Sequence, residues 1–238
     1  MNGPDRIPVF CALDTTDLEA ARRLAAAAAA AGCGIKLGKE FFAAHGPEGV
    51  RQVRPAGAAL FLDLKFHDIP NTVAGAVRAA IRSVRPDFLT IHAGGGGAMV
   101  RAAAEAAASA GSGRPRLLAV TVLTSLDAAD LAALGIAATV EAQALRLAKL
   151  AQASGADGAV CAAGEIAALR GACGGNFLLV VPGIRPAGAE HGDQKRVMTP
   201  GEALKLGADW LVIGRPITGA TDPAGAARAL AAEIKAAA

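Results

Sequence analysis

The sequence predicts a single domain of the α/β class, a (β/α)8 TIM barrel. Short β-rich apolar runs alternate with longer Ala-rich, helix-prone stretches from one end to the other, the signature of repeated βα units. Eight such runs fall within 238 residues, a length that suits eight units closed into one barrel. A doubly wound open sheet would more often use fewer strands and show a Gly-rich fingerprint after the first. No G-x-G-x-x-G follows Leu13, and no Pro/Ser-rich linker or shift of composition divides residues 1–238.

In chain order the expected strands are Ile7–Leu13, Gly34–Leu37, Ala58–Leu64, Phe88–His92, Leu117–Val122, Gly158–Cys161, Phe177–Val181 and Trp210–Ile213. Each precedes a turn and most precede a helix, the last being an amphipathic closing helix over Ala224–Ala238. Barrel enzymes keep their working residues at or beyond the C-terminal ends of strands. The polar residues that interrupt apolar runs here are Asp14, Lys36, Asp63, Lys65, Asp68, Thr124, Arg185 and Arg215, and all eight lie at such ends. A plain exposed surface explains Arg22, Arg82 and Glu105 but not charges set into apolar strands.

Composition narrows the classes further. Hydrophobic residues are 53% and charged residues 19% of the chain, which is globular and too apolar for disorder. Twenty-four Lys and Arg against 21 Asp and Glu leave +3, too little for a nucleic-acid surface, with small anionic ligands still open. The longest apolar run, Leu24–Ile35, is mostly alanine and too short to span a bilayer, so no membrane role is expected. Met1–Phe10 does not read as a secretory signal, which points to a cytoplasmic protein. Cys11, Cys33, Cys161 and Cys173 form no C-x-x-C pair and have no His at zinc-finger spacing, so free thiols are expected.

Phe61-Leu62-Asp63-Leu64-Lys65-Phe66-His67-Asp68-Ile69-Pro70-Asn71-Thr72 is the most informative segment. Strand side chains alternate, so Asp63 and Lys65 are expected on one face and Leu62 and Leu64 on the other. Whether that face is the barrel interior or the helix-packed exterior, an Asp and a Lys on it must pair. A pair that only fixes register is the alternative, although such pairs are weak stability devices. Pro70 is expected to end the strand, leaving Asn71 or Thr72 to cap a helix beginning at Val73.

The string Asp63-x-Lys65-x-x-Asp68-Ile69-Pro70-Asn71-Thr72 resembles the signature of the orotidine 5′-phosphate decarboxylase family. The likeness continues in order through Ala12-Leu13-Asp14, Ile35-Lys36-Leu37-Gly38, Thr121-Val122-Leu123-Thr124-Ser125, Pro182-Gly183-Ile184-Arg185-Pro186, Gly192-Asp193-Gln194-Lys195-Arg196 and Ile213-Gly214-Arg215-Pro216-Ile217. The resemblance implies a (β/α)8 enzyme of UMP synthesis that releases CO2 from orotidine 5′-phosphate to give uridine 5′-phosphate, without cofactor or metal. It assigns Asp14 and Lys36 to the ribose hydroxyls, and Asp63, Lys65 and Asp68 to the reaction centre, with Lys36 joining a Lys–Asp–Lys–Asp row. Asp68, with Ile69 and Thr72, would act in the neighbouring subunit's site, which implies a homodimer. Thr124 and Ser125 would meet the pyrimidine, while Gln194, the Gly214 backbone and Arg215 would hold the phosphate, with Arg185 on the same side.

The chemistry such an enzyme needs fits these residue types. Loss of CO2 from C6 leaves an electron pair in the ring plane, where the ring π system cannot spread it. A lysine ammonium at C6 stabilises that charge and then delivers the proton, a role expected of Lys65, with the flanking carboxylates keeping it charged and aimed. The Gly- and Pro-containing segment Pro182–Met198 is expected to be a lid that closes over the phosphate rather than a plain solvent loop. Gly94–Gly97 either brings backbone near a ligand or makes a flexible turn. His67 and His92 are expected to be hydrogen-bonded structural residues, and Trp210 to be core. The nearest rival is a Mg2+-dependent 3-hexulose-6-phosphate synthase, which shares the Asp-x-Lys-x-x-Asp motif; Lys36, Gln194 and the Ile69–Thr72 continuation speak against it. A binding-only barrel would have lost a charged residue, and none is missing.

Overall fold

A computed structural model of the chain describes residues 7–186 and 198–237. The first half of the chain runs β1 (Val9–Ala12), α1 (Leu18–Ala30), β2 (Gly34–Gly38), α2 (Lys39–Val53), β3 (Leu60–Phe66), α3 (Pro70–Val84), β4 (Phe88–His92) and α4 (Gly96–Ala108). It continues through β5 (Arg116–Val120), α5 (Ala128–Ala133), α6 (Val140–Ala153), β6 (Gly158–Val160), α7 (Ile166–Cys173), β7 (Leu178–Pro182), α8 (Pro200–Lys205), β8 (Trp210–Ile213), α9 (Arg215–Thr218) and α10 (Pro223–Ala237). Every strand is parallel to its neighbours and β8 returns to β1, so the sheet is a closed eight-stranded barrel. All eight expected strands are present, with ends shifted by at most two residues; β5 stops at Val120, leaving Thr124 in the loop beyond.

Alternation sorts the strand residues into two cores. Val9, Cys11, Ile35, Leu37, Leu60, Leu62, Leu89 and Ile91 face the helices, where they pack on residues such as Val50, Val77 and Met99. Phe10, Phe61, Phe88, Leu118, Val180 and Val212 point inward. Phe10 sits at the centre of an aromatic plug, with its ring 5.2 Å from Phe61, 5.0 Å from Phe88 and 4.7 Å from a half-buried Trp210. Gly34 makes the room: a Cβ there would lie 2.6 Å from the Phe10 ring. The lower interior is therefore sealed by large apolar groups, and Lys36, Asp63 and Thr90 occupy the interior positions above them.

At the N-terminal end of the barrel one device recurs three times. Asp87, Asp157 and Asp209 each immediately precede an even-numbered strand, and each carboxylate accepts the N–H of Leu60, Leu117 or Leu179 at the start of the preceding odd strand, at 2.7, 2.8 and 2.7 Å. Arg54, Arg114 and Arg170 respectively pair with these carboxylates. The clamps tie strand starts together at the end of the barrel away from the open mouth.

The start of α3 differs from the expectation. Pro70 is the first helical residue and Ile69 its cap, without a side-chain hydrogen bond. Proline has no N–H to satisfy and its fixed φ suits a first turn, so Asn71 and Thr72 lie inside the helix and neither caps it. The glycine run is also ordered backbone. Ala93–Gly95 form a 3-10 turn, Gly96 takes φ 83° and starts α4, and a Cβ at Gly95 would fall 2.1 Å from Met99 Sδ. Close packing explains Gly94, Gly95 and Gly97, and the positive φ explains Gly96, where a Cβ would meet nothing within 4 Å. Among the described residues no helix is long and apolar enough to cross a membrane.

Candidate active site

A cavity of about 310 Å³ opens at the C-terminal end of the barrel, directly above the aromatic plug. Its lining brings together Asp14, Lys36, Asp63, Lys65, Thr124, Arg185, Gly214 and Arg215, eight of the residues singled out from the sequence. Four of these are cations and two are anions, which suits a multiply anionic ligand. The charged groups come from β1 to β3 on one side and from the segments after β7 and β8 on the other. Val120, Val122, Leu123 and Val160 supply an apolar wall from β5, the loop after it and β6.

Lys36 lies within β2 and is only 9% exposed. Its ammonium reaches Asp14 at 3.2 Å and Asp63 at 3.8 Å. Asp63 projects inward one alternation above Phe61, and Lys65 Nζ donates to both of its carboxylate oxygens at 2.8 Å. These contacts make a continuous row, Asp14–Lys36–Asp63–Lys65. Burial by itself would raise the Asp63 carboxyl, but Lys36, Lys65 and the hydrogen bonds from Lys65 and Thr90 outweigh it and hold the group below its ordinary range. Asp63 is thus a carboxylate fixed between two ammonium groups.

Simple alternation does not place Lys65. Its φ is 51°, the left-handed region that non-glycine residues rarely occupy, and the step from Leu62 to Phe66 on β3 faces only Leu89 to Ile91 on β4. This bulge re-aims the lysine, a familiar use of such irregularities beside functional sites. Asp63 and Lys65 do meet, as expected, but through a backbone distortion.

Other expected residues lie elsewhere. Ser125 is exposed and does not line the cavity, although Thr124 does. Asp68 is exposed, its carboxylate accepting the N–H of Ile69 at 2.6 Å, so it does not join the row within this chain. Ile69 is 66% exposed and Thr72 is exposed. Gln194 and residues 187–197 of the expected lid fall outside the described residues.

His67 and His92 stack with ring centroids 5.1 Å apart, and His92 Nδ1 accepts the Gly94 N–H at 3.1 Å. Burial first, then the positive surroundings of His67, Lys39 and Lys65, lower the pKa of His92 and favour its neutral form. The four cysteines are buried and free; Cys161 also lines the cavity, with its thiol raised chiefly by burial. Among the described residues no group of three or more His, Cys, Asp or Glu side chains converges as metal ligands.

Sequence reading missed Thr90. It is fully buried and touches both Asp63 and the backbone of Lys65. Its signal was available, since a hydroxyl shares the inward face of β4 with Phe88 and His92, and the rule that drew attention to Asp63 applies equally to it.

The chain matches the model of the "Orotidine 5'-phosphate decarboxylase / HUMPS family" over residues 8–230. It is 56% identical to the orotidine 5′-phosphate decarboxylase of Rhodospirillum rubrum over 95% of this chain and 94% of that protein. It is 52% identical to the decarboxylase of Moorella thermoacetica over 99% of this chain and 94% of that protein. Among solved structures it resembles the orotidine 5′-phosphate decarboxylase of Lactobacillus acidophilus, with TM-score 0.84 and 36% identity over 95% of this chain and 98% of that one. On sequence and fold together, the chain belongs to the orotidine 5′-phosphate decarboxylase / HUMPS family.

Proposed function

We propose that this protein decarboxylates orotidine 5′-phosphate to uridine 5′-phosphate and CO2, a step of UMP synthesis, with no cofactor or metal, and that Lys65 is the proton donor. The observation that carries this reading is the Lys65 ammonium held against both oxygens of Asp63 inside the cavity. As the C6–CO2 bond breaks, its electron pair stays on C6 in the ring plane. A fixed ammonium facing C6 stabilises that charge without reorganising, and one of its protons then forms the new C6–H bond. Asp63 keeps Lys65 charged and aimed, and Lys36 offsets the negative charge on Asp63.

The remaining roles follow the cavity's layout. Asp14 and Lys36 receive the ribose hydroxyls, and Thr124 meets the pyrimidine against the apolar wall of Val120, Val122 and Val160. Ser125, next to Thr124, is retained as a pyrimidine contact. Arg185, the Gly214 backbone and Arg215 follow β7 and β8, the position where barrels commonly bind phosphate. Gln194 and the segment around it belong to the same phosphate site. Binding energy gathered there, away from the reacting carbon, can serve to hold the reactive geometry.

The enzyme acts as a homodimer in the cytoplasm, with Asp68, Ile69 and Thr72 completing the neighbouring subunit's site. Their exposure outside the cavity of their own chain, with Ile69 66% exposed, supports this part of the reading. Mixing the protein with orotidine 5′-phosphate, with and without EDTA, and following the ultraviolet change is the test. Turnover insensitive to EDTA and abolished in Lys65→Ala is expected. No turnover by folded protein would refute the reading, and metal-dependent turnover of a hexulose phosphate would replace it with the 3-hexulose-6-phosphate synthase activity.

A further inference from the structure

We propose that Thr90 is a positioning residue for the reaction, its single hydroxyl fixing both the backbone of Lys65 and the carboxylate of Asp63. The inference rests on the reading of Lys65 as proton donor and extends it to a residue that touches no reacting atom. Thr90 Oγ1 accepts the Lys65 N–H at 2.9 Å and donates its own proton to Asp63 Oδ1 at 2.9 Å. The hydroxyl's one donor and one of its acceptor positions are thereby used. The side chain is fully buried, so water cannot substitute at either bond.

The location gives these bonds their consequence. Lys65 is in the left-handed region with φ 51°, at the point where the β3–β4 register shifts. Such a conformation persists only where its surroundings over-determine it. A hydroxyl presented by β4 holds that amide, while the same oxygen, bonded to Asp63, sets where the carboxylate stands to receive the ammonium of Lys65. The ammonium is therefore held from both ends, through its own backbone and through its counter-ion. Asp63 is faced by Lys36 from β2, by Lys65 from its own strand and by Thr90 from β4. Thr90 is the only neutral member of that set.

Thr90→Val keeps the shape and removes both hydrogen bonds, whereas Thr90→Ser keeps the hydroxyl. For the valine variant we expect kcat to fall roughly ten- to a hundredfold, the size associated with a hydrogen bond to a charged group. KM should change less than about threefold, since the expected phosphate contacts remain in place. Serine should restore most of kcat. Asp63 loses a donor that favours its ionised form, so its carboxyl should titrate higher and the acid limb of kcat should move to higher pH in the valine variant. A merely structural threonine would not move that limb. Circular dichroism and a melting curve establish that each variant is folded; if Thr90→Val does not fold, Thr90→Ala is judged by the same criteria.

A folded variant without the hydroxyl that keeps wild-type kcat and an unshifted acid limb overturns the inference, as does a serine variant as impaired as valine. Lys65→Ala, run beside them, separates the two levels. If Lys65→Ala turns over substrate, the underlying reading fails and the role of Thr90 falls with it. If Lys65→Ala is inactive while Thr90→Val is unimpaired, the Thr90 inference alone is wrong.

Discussion

Arg170→Ala should destabilise the barrel far more than Arg114→Ala, although both remove the arginine of an equivalent clamp. Arg170 makes five hydrogen bonds: two to Gly207 O, one each to Gly174 O and Phe177 O, and one to the Asp209 carboxylate. Its side chain is 21% exposed and that of Asp209 29%. Asp209 would remain bonded to the Leu179 N–H without its cation. Removing one partner of a buried pair costs about 3–5 kcal/mol, and the partial exposure here places the expected loss near about 3 kcal/mol. Arg114 donates a hydrogen bond to Asp157, is 36% exposed, and leaves Arg116 still 3.5 Å from that carboxylate. Its loss resembles that of a surface pair, about 1 kcal/mol. For a chain of this size about 2–4 °C of Tm follows each kcal/mol, so thermal unfolding at fixed protein concentration should show drops of roughly 6–12 °C and roughly 2–4 °C. Both clamps lie at the barrel end opposite the cavity, so kcat/KM well below the transition should be unchanged in either variant. Equal shifts, or a larger one for Arg114→Ala, would refute the reasoning from bond number and burial.

Four further outcomes are expected. Lys36→Met removes the cation 3.8 Å from Asp63, so the Asp63 carboxyl should titrate higher and the acid limb of kcat/KM should rise in pH; an unmoved limb in a folded variant would show that Lys36 does not tune Asp63. Because the Asp63 carboxyl is depressed in the folded state, its stabilising contribution is present above its unfolded value of about 3.9 and is lost as pH falls through the depressed value. Asp63→Asn should therefore flatten the stability curve below about pH 4, as read by urea unfolding across pH. Gly158→Ala should lower Tm by several degrees, since a Cβ there would stand 2.3 Å from the Leu178 carbonyl oxygen across the β6–β7 ladder, and such overpacking costs about 1–3 kcal/mol. Burial pushes the Cys11 and Cys33 thiols up to about 12, so a thiol reagent at neutral pH should label them rapidly only after denaturation; fast labelling of the native protein would contradict their burial.

The sequence alone determined the strand count, the closed barrel and the charged residues that line the cavity. Apolar runs alternating with Ala-rich helices encode the βα repeat locally, and charges survive inside apolar strands only where the fold has a use for them. That is why Asp14, Lys36, Asp63, Lys65, Arg185 and Arg215 could be named before any contact was known. Tertiary structure decided what local pattern cannot carry. Alternation could not say whether Asp63 faced inward; the aromatic plug below it and the helices outside settle that. Nor could it foresee the positive φ of Lys65, because a bulge is a property of two strands in register. Thr90's inward place on β4 was legible, but its partners were not: twenty-five positions separate it from Lys65 in the chain, and only the pairing of β4 with β3 turns an ordinary strand hydroxyl into the link between a lysine amide and a carboxylate.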